Sequence, residues 1–356
     1  MNAGTVENET IFLTKVGSQA YGLATEDSDT DRAGVCIPTD KSYYIGMGIN
    51  KFEQKDKGWS EPGDRVVYDL RKAMNLMADA NPNMLDLLFV SKKSIEVIKR
   101  PWKDILKHRD KFLSKKVRYT YSGYAYSQLK RIQRHRGYLL NPPSHEPTRE
   151  EFGLPSDRKL VTTDEMGAFE WLLSKLIAGS VEATKLSEET KEEISHLNYV
   201  GMVQSSNLED TAQAVKLVTG APDGFIESVM REKKYRGAMS QYRSYNDWKA
   251  SRNPKRAEME SKYGYDAKHA MHLVRLMRMG VEILKTGVVN VKRPDREELL
   301  SVRNGAWPYD MLVDYMAEKD LEMKELYKTS FLPKNPDRVF LDELCQQIIY
   351  RQVMRR

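Results

Sequence analysis

Cysteine is almost missing from this chain: of 356 residues, only Cys36 and Cys345 are cysteines. Two thiols so far apart in sequence frame neither a disulfide scaffold nor a zinc site, which agrees with a reducing compartment. Histidine is also sparse, and none of the six stands in a His-Glu-x-x-His arrangement, so the metalloprotease pattern is excluded. Long hydrophobic runs are absent. Even Met84 to Val90, apolar apart from Asp86, falls far short of a membrane span. The amino end carries no basic-then-apolar leader. The expectation is a cytoplasmic protein that makes no use of a membrane. No internal repeat and no low-complexity segment interrupts the chain.

What is present is an ordinary globular composition, 40% hydrophobic and 30% charged. The length exceeds one simple core and implies two domains. The net charge of +6 permits a polyanionic partner without requiring one. The stretch with the strongest chemical content lies near the amino end. Ile11 to Val16 reads as a strand that leads into Gly17-Ser18; Gly22 follows, and then Ser28-Asp29-Thr30-Asp31 opens a second apolar run, Ala33 to Ile37. Strands are expected over residues 11–16 and 31–38. Side chains two apart on a strand point the same way, so Asp29 and Asp31 would aim like charges at one place. A hard divalent cation with oxygen ligands would relieve that repulsion. A Gly-Ser pair at a strand end lets a backbone and a hydroxyl approach a phosphate. Glycine, serine and paired aspartates are together what nucleotidyl transfer needs; a turn with solvated aspartates is the bland alternative.

Further along, residues 64–68 read as a strand, with Asp64, Val66 and Tyr68 on one face. Asp69 reads as a helix cap, and Asn81-Pro82-Asn83 as a break that starts another helix. From Pro101 onward the pattern is mainly helical. Residues 113–136 mix tyrosines with Lys130, Arg131, Arg134, His135 and Arg136, which fits either a core helix or a surface that stacks bases. Residues 139–155 form a loop with four prolines, long enough to suspect a function. Residues 163–179 read as a helix with Phe169, Trp171, Leu172 and Leu176 turned inward. A further helix is expected over 207–217, and another over 223–236. Residues 231–256 are rich in Lys and Arg interleaved with tyrosines and Trp248, which suits an RNA surface or a solvated face. The strongest helical pattern of the second half is Tyr265 to Lys285. Lys268, His272 and Arg275 share one face of it with Arg278 alongside, positioned either to meet a triphosphate or RNA phosphate or to be ion-paired. A short strand is expected at Val288–Val291.

Gly17-Ser18, Gly22 and Ser28-Asp29-Thr30-Asp31 resemble the signature of the DNA polymerase beta superfamily of nucleotidyltransferases. The chain also resembles, more closely than the superfamily at large, a prokaryotic and phage group associated with RNA-repair gene neighbourhoods. Features of that group recur at Tyr68-Asp69-Leu70-Arg71-Lys72, at Asn81-Pro82-Asn83, at Gly123 to Gln128 and at Arg293 to Leu299. The resemblance implies an α+β fold: a small mixed-sheet nucleotidyltransferase core over residues 1–100, then a mostly helical region over 101–356. It also implies a third carboxylate on a later strand. Asp64 is the first choice, Asp69 the second, and Asp86 a weaker one. On this reading Asp29, Asp31 and Asp64 are catalytic and hold Mg²⁺, with Mn²⁺ as an alternative ion. Gly17, Ser18, Lys268, His272 and Arg275 bind the nucleotide, with ATP the expected triphosphate. The implied acceptor is the end of an RNA, tRNA among the candidates. Protein AMPylation, a small-molecule acceptor and a non-catalytic RNA-binding or antitoxin-like role are the alternatives. Oligomeric state is left open.

Overall fold

The structure is a computed structural model, and it describes residues 8–26, 28–45, 65–183, 220–252 and 254–355. In chain order it comprises β1 (Thr10–Lys15), α1 (Gly17–Tyr21), β2 (Arg32–Cys36), β3 (Arg65–Asp69), α2 (Leu70–Ala78), α3 (Pro82–Leu85), β4 (Ile95–Ile98), α4 (Arg100–Leu106) and α5 (Val117–Leu140). There follow α6 (Thr163–Ala183), α7 (Asp223–Ser251), α8 (Pro254–Tyr263), α9 (Ala267–Thr286), α10 (Arg296–Arg303), α11 (Tyr309–Thr329) and α12 (Arg338–Ile349). This is the expected α+β arrangement, a small mixed sheet followed by helices. The turn expected at Trp59 to Gly63, the helix expected over 207–217 and the candidate carboxylate Asp64 lie outside the described residues.

The sheet has the order β3-β2-β1-β4. β1 is antiparallel to both β2 and β4, and β2 runs parallel to β3. An interior strand is covered on both faces, which is why Thr10 to Leu13 and even Thr14 are buried. Thr14 satisfies its hydroxyl by donating to the Ser94 carbonyl at 2.9 Å. Phe12 stacks on Trp102 of α4, with ring centroids 4.3 Å apart. The Asp69 carboxylate accepts from the Lys72 N–H at 3.2 Å and starts α2; Asn81 caps α3 in the same way, with Pro82 at its first position.

The chain divides into two compact units. Residues 1–133 and 265–356 form one; residues 134–264 form the other. The boundary expected near residue 100 falls inside the first unit, between β4 and α4. In that unit α9 is buried on nearly every side and packs against α10 and α11. Asp266 caps its start and Gly287 ends it. The second unit has its own core of Val161, Met166, Phe169, Ile226 and Val229, with Leu172 packed against it.

Two local expectations fail. Residues 288–291 form no strand: Val289 and Val291 are buried, but among the described residues they pair with no strand. Trp171 is 62% exposed, on the side of α6 away from the Phe169 core. Asp29 and Asp31 lie in the segment just before β2, whose first paired residue is Arg32 opposite Lys15.

Candidate active site

The site is built on the turn from β1 into α1. Gly17 has φ of +61°, a left-handed conformation that side chains oppose. Space opposes them as well: a Cβ on Gly17 would stand 3.0 Å from Asp31 Oδ2. The second carboxylate of the Asp-x-Asp pair therefore lies directly over the glycine that precedes Ser18. Backbone pairing fixes this arrangement, since the Val16 N–H donates to the Asp31 carbonyl at 2.9 Å. Asp29 is exposed. The loop ahead of it is tied by a serine turn: the Thr25 N–H donates to Ser28 Oγ at 2.9 Å, and the Ser28 N–H returns to the Thr25 carbonyl. Arg32 turns away to Glu96, at 3.0 Å.

Asp69 is displaced from this site. It pairs with Cys36, at the end of β2 remote from Asp31. Five strand residues separate those ends by about 16 Å. Its carboxylate is occupied as a helix cap and lies 3.9 Å from Arg71.

Asp86 is 4% exposed and accepts a 2.6 Å hydrogen bond from the Tyr21 hydroxyl at the end of α1. Burial pushes its pKa up; Arg275 and the Tyr21 hydroxyl pull it partly back, leaving it at about 6. The Arg275 guanidinium lies 3.7 Å from the centre of the Tyr21 ring. Burial raises the Tyr21 hydroxyl well above its ordinary pKa, so it stays a donor to Asp86. Of the four basic positions read on α9, Arg275 thus reaches α1 from behind, through Tyr21, and is itself 4% exposed. Lys268 and His272 are half-buried on the first half of α9. Arg278 is occupied by Asp295 at 2.7 Å and Glu298 at 2.6 Å.

A further set of contacts escaped sequence reasoning. The Arg293 N–H donates to the Tyr21 carbonyl at 3.0 Å, and Arg296 Nε donates to the Gly22 carbonyl at 2.7 Å. The Lys292 stem covers Gly22, with Cγ 3.6 Å from where a Cβ on Gly22 would sit. Arg293 is buried and held by Glu282 at 2.6 Å and Asp295 at 2.8 Å. Burial pushes Asp295 up, but hydrogen bonds from Arg293 and Arg278 outweigh it and hold the carboxyl below its ordinary value. The recurring Arg293-Pro294-Asp295-Arg296 motif was the only signal, and nothing in it says that its target is the Gly-Ser turn.

The donors near Gly17 are carboxylate and hydroxyl oxygens, with no thiol or imidazole in the Gly17–Asp31 segment. That set fits Mg²⁺ or Mn²⁺ and does not fit a zinc site.

Residues 3–139 match the family model described as the RNA repair pathway DNA polymerase beta family. The chain is also 21% identical over 356 residues to an uncharacterized 38.9 kDa protein of Enterobacteria phage T4, from the nrdC-mobD intergenic region. That alignment covers 96% of this chain and 97% of the phage protein. No solved structure matches the chain. The matched residues carry the Gly17-Ser18 turn with Asp29 and Asp31, so it is the segment holding the candidate site that is similar to this DNA polymerase beta family.

Proposed function

We propose that this protein transfers a nucleoside monophosphate from a nucleoside triphosphate, with ATP the preferred donor, to a hydroxyl at the end of an RNA. The oxygen of that hydroxyl bonds to the α-phosphorus, the bond from the α-phosphorus to the bridging oxygen breaks, and pyrophosphate leaves. The observation that carries this reading is the Asp31 carboxylate packed over left-handed Gly17, immediately before Ser18. A divalent ion held by Asp29 and Asp31 would neutralise the triphosphate and acidify the attacking hydroxyl.

The chain supplies the rest. Ser18 and the backbone after Gly17 orient the phosphates. The Lys292 ammonium, on a stem that crosses Gly22, adds positive charge at the rim. Asp64 is the proposed third carboxylate and the proton acceptor. In sequence it immediately precedes Arg65, as Asp31 immediately precedes Arg32, and Arg32 and Arg65 are partners across β2 and β3. Lys268 and His272 remain proposed nucleotide contacts from α9. Arg275 acts at one remove, by holding Tyr21 at the end of α1.

The test is to incubate the protein with Mg²⁺ and each triphosphate labelled at the α-phosphate, together with total RNA, total protein or small hydroxyl compounds. Label in RNA is the expected result. Label in protein or in a small molecule would move the acceptor to that class. No label in any fraction would contradict the reaction itself.

A further inference from the structure

The second unit holds a cleft of about 430 Å³ between α7 and the segment that follows the proline-containing loop. Volumes of this order hold a small ligand or one unit of a chain. Four cations line it: Arg149, Lys159, Arg236 and Arg243. Glu232 also lines it and is 1% exposed.

Arg149 and Glu232 are fully engaged with the protein. Arg149 binds Glu232 through both terminal nitrogens, at 2.7 and 3.2 Å, and donates to the carbonyls of Pro155 and Arg158, each at 2.7 Å. The Leu160 N–H gives Glu232 a third bond, at 3.0 Å. Burial pushes Glu232 up, but these bonds outweigh it and hold the carboxyl below its ordinary value. Arg149 and Glu232 therefore cancel in charge and pin the loop. Among the described residues Lys159, Arg236 and Arg243 form no ion pair. Arg236 also acts on Glu232 through space, but four cations against one carboxylate leave the concavity net positive, and its low-dielectric walls focus that field.

The spacing also points to a ligand. Arg236, Ser240, Arg243 and Ser244 lie at i, i+4, i+7 and i+8 along α7, which is one helix face. Their hydroxyl and guanidinium donors alternate. Arg236 and Arg243 are about 10 Å apart along the helix axis, more than one phosphate group spans. Tyr235 is fixed at the wall by Phe152, with ring centroids 5.8 Å apart, and by the Arg149 guanidinium at 5.3 Å. A cationic groove with a fixed aromatic ring is how proteins hold single strands: the charges follow the backbone, and the ring meets a base. An open polyanion with repeated phosphates satisfies this lining better than one compact anion.

We infer that this cleft binds the phosphodiester backbone of single-stranded RNA, with Lys159, Arg236 and Arg243 on successive phosphates. This deepens the RNA-acceptor reading and rests on it. It also gives the loop over residues 139–155 its purpose, since the loop precedes Lys159 in sequence and is anchored through Arg149.

The test uses the full chain and a fluorescently labelled single-stranded oligoribonucleotide, with anisotropy read across a salt series and no triphosphate present. Arg236→Gln combined with Arg243→Gln should weaken binding on the order of tenfold. The double change should also make the log–log salt slope shallower by about 1.4, two contacts at ~0.7 each. Lys159→Gln alone should make the slope shallower by half as much, ~0.7. Lys285→Gln, at an exposed position on α9, should change neither. Unchanged affinity and slope in the double variant would overturn the inference, as would absence of RNA binding by the parent chain. Displacement of the RNA by inorganic triphosphate at equal concentration would overturn it too, marking a small-anion site. Because no transfer is measured, failure of the proposed reaction and failure of this inference are read separately.

Discussion

Two regions of this molecule use arginine in opposite ways. In the first unit Arg275, Arg278 and Arg293 are buried or half-buried, and each is taken up by the protein: Arg275 by Tyr21, Arg278 by Asp295 and Glu298, Arg293 by Glu282 and Asp295. They stiffen the frame behind and beside the Gly17–Gly22 turn. In the second unit Arg149 is taken up by Glu232 and Arg252 by Glu260, while Lys159, Arg236 and Arg243 line a cleft without an ion pair among the described residues. The lesson is that a basic stripe in a sequence does not declare its role. What separates a strut from a ligand contact is whether carboxylates answer the charge, and that is decided by residues far away in the chain.

The sharpest way to break this contrast is at the acidic centre that the struts serve. Asp31→Asn keeps the shape over Gly17 and removes the charge, so nucleotide transfer should fall on the order of a thousandfold while the melting temperature holds. Single-turnover incorporation of labelled nucleotide measures it. An equal loss of stability and activity would make Asp31 a structural residue.

The next effect falls on a strut. Arg293→Ala leaves Glu282 and Asp295 without their buried partner and should cost about 3–5 kcal/mol in chemical denaturation. The neutralised cleft arginines of the second unit should cost almost nothing by the same measure. A similar cost at both would erase the distinction drawn here.

Asp86 gives a pH signature that belongs to the first unit alone. Its pKa is about 6 in the folded protein against an ordinary 3.8, so the folded state retains a proton that the unfolded state has lost. Stability from this group is therefore greatest below pH 4 and declines as pH rises through 6, by about 3 kcal/mol in all. Asp86→Asn should abolish that decline, read as the difference between the urea-denaturation profiles of variant and parent. Parallel profiles would show that Asp86 is not held as its burial implies.

The smallest effect is at the turn. Gly17→Ala meets a left-handed φ and the Asp31 carboxylate, and should cost about 1–2 kcal/mol of stability. Transfer should drop by more than that cost explains, because the displaced group is Asp31. Activity that falls only in step with stability would separate Gly17 from the site.

Much of this was legible in order along the chain. The β1–glycine–aspartate series, the Asp69 and Asn81 caps and the α9 helix are written in local pattern, where period and capping chemistry act over a few residues. What was not legible depends on distant partners. β4 is a four-residue run whose strand character comes from lying beside β1, more than eighty residues earlier. Val288–Val291 has β-branched residues but no such neighbour among the described residues, so it remains coil. Arg275 looked like a nucleotide ligand because its helix face was basic; its contact with Tyr21, across more than 250 residues, puts it behind α1. The brace on Gly22 from Lys292 and Arg296 was hidden for the same reason. The cleft arginines were visible as a basic stretch, but the pairing of Arg149 with Glu232, which leaves the cleft net positive, was not.

The central claim is that Gly17, Ser18, Asp29 and Asp31 make a metal-dependent nucleotidyl-transfer site. The most direct measurement is pyrophosphate release from ATP in the presence of RNA, followed beside incorporation of the labelled nucleotide. The account predicts one pyrophosphate per nucleotide incorporated with Mg²⁺, and neither product with EDTA or with Asp29→Asn. Pyrophosphate release that persists undiminished in Asp29→Asn or in EDTA would contradict it.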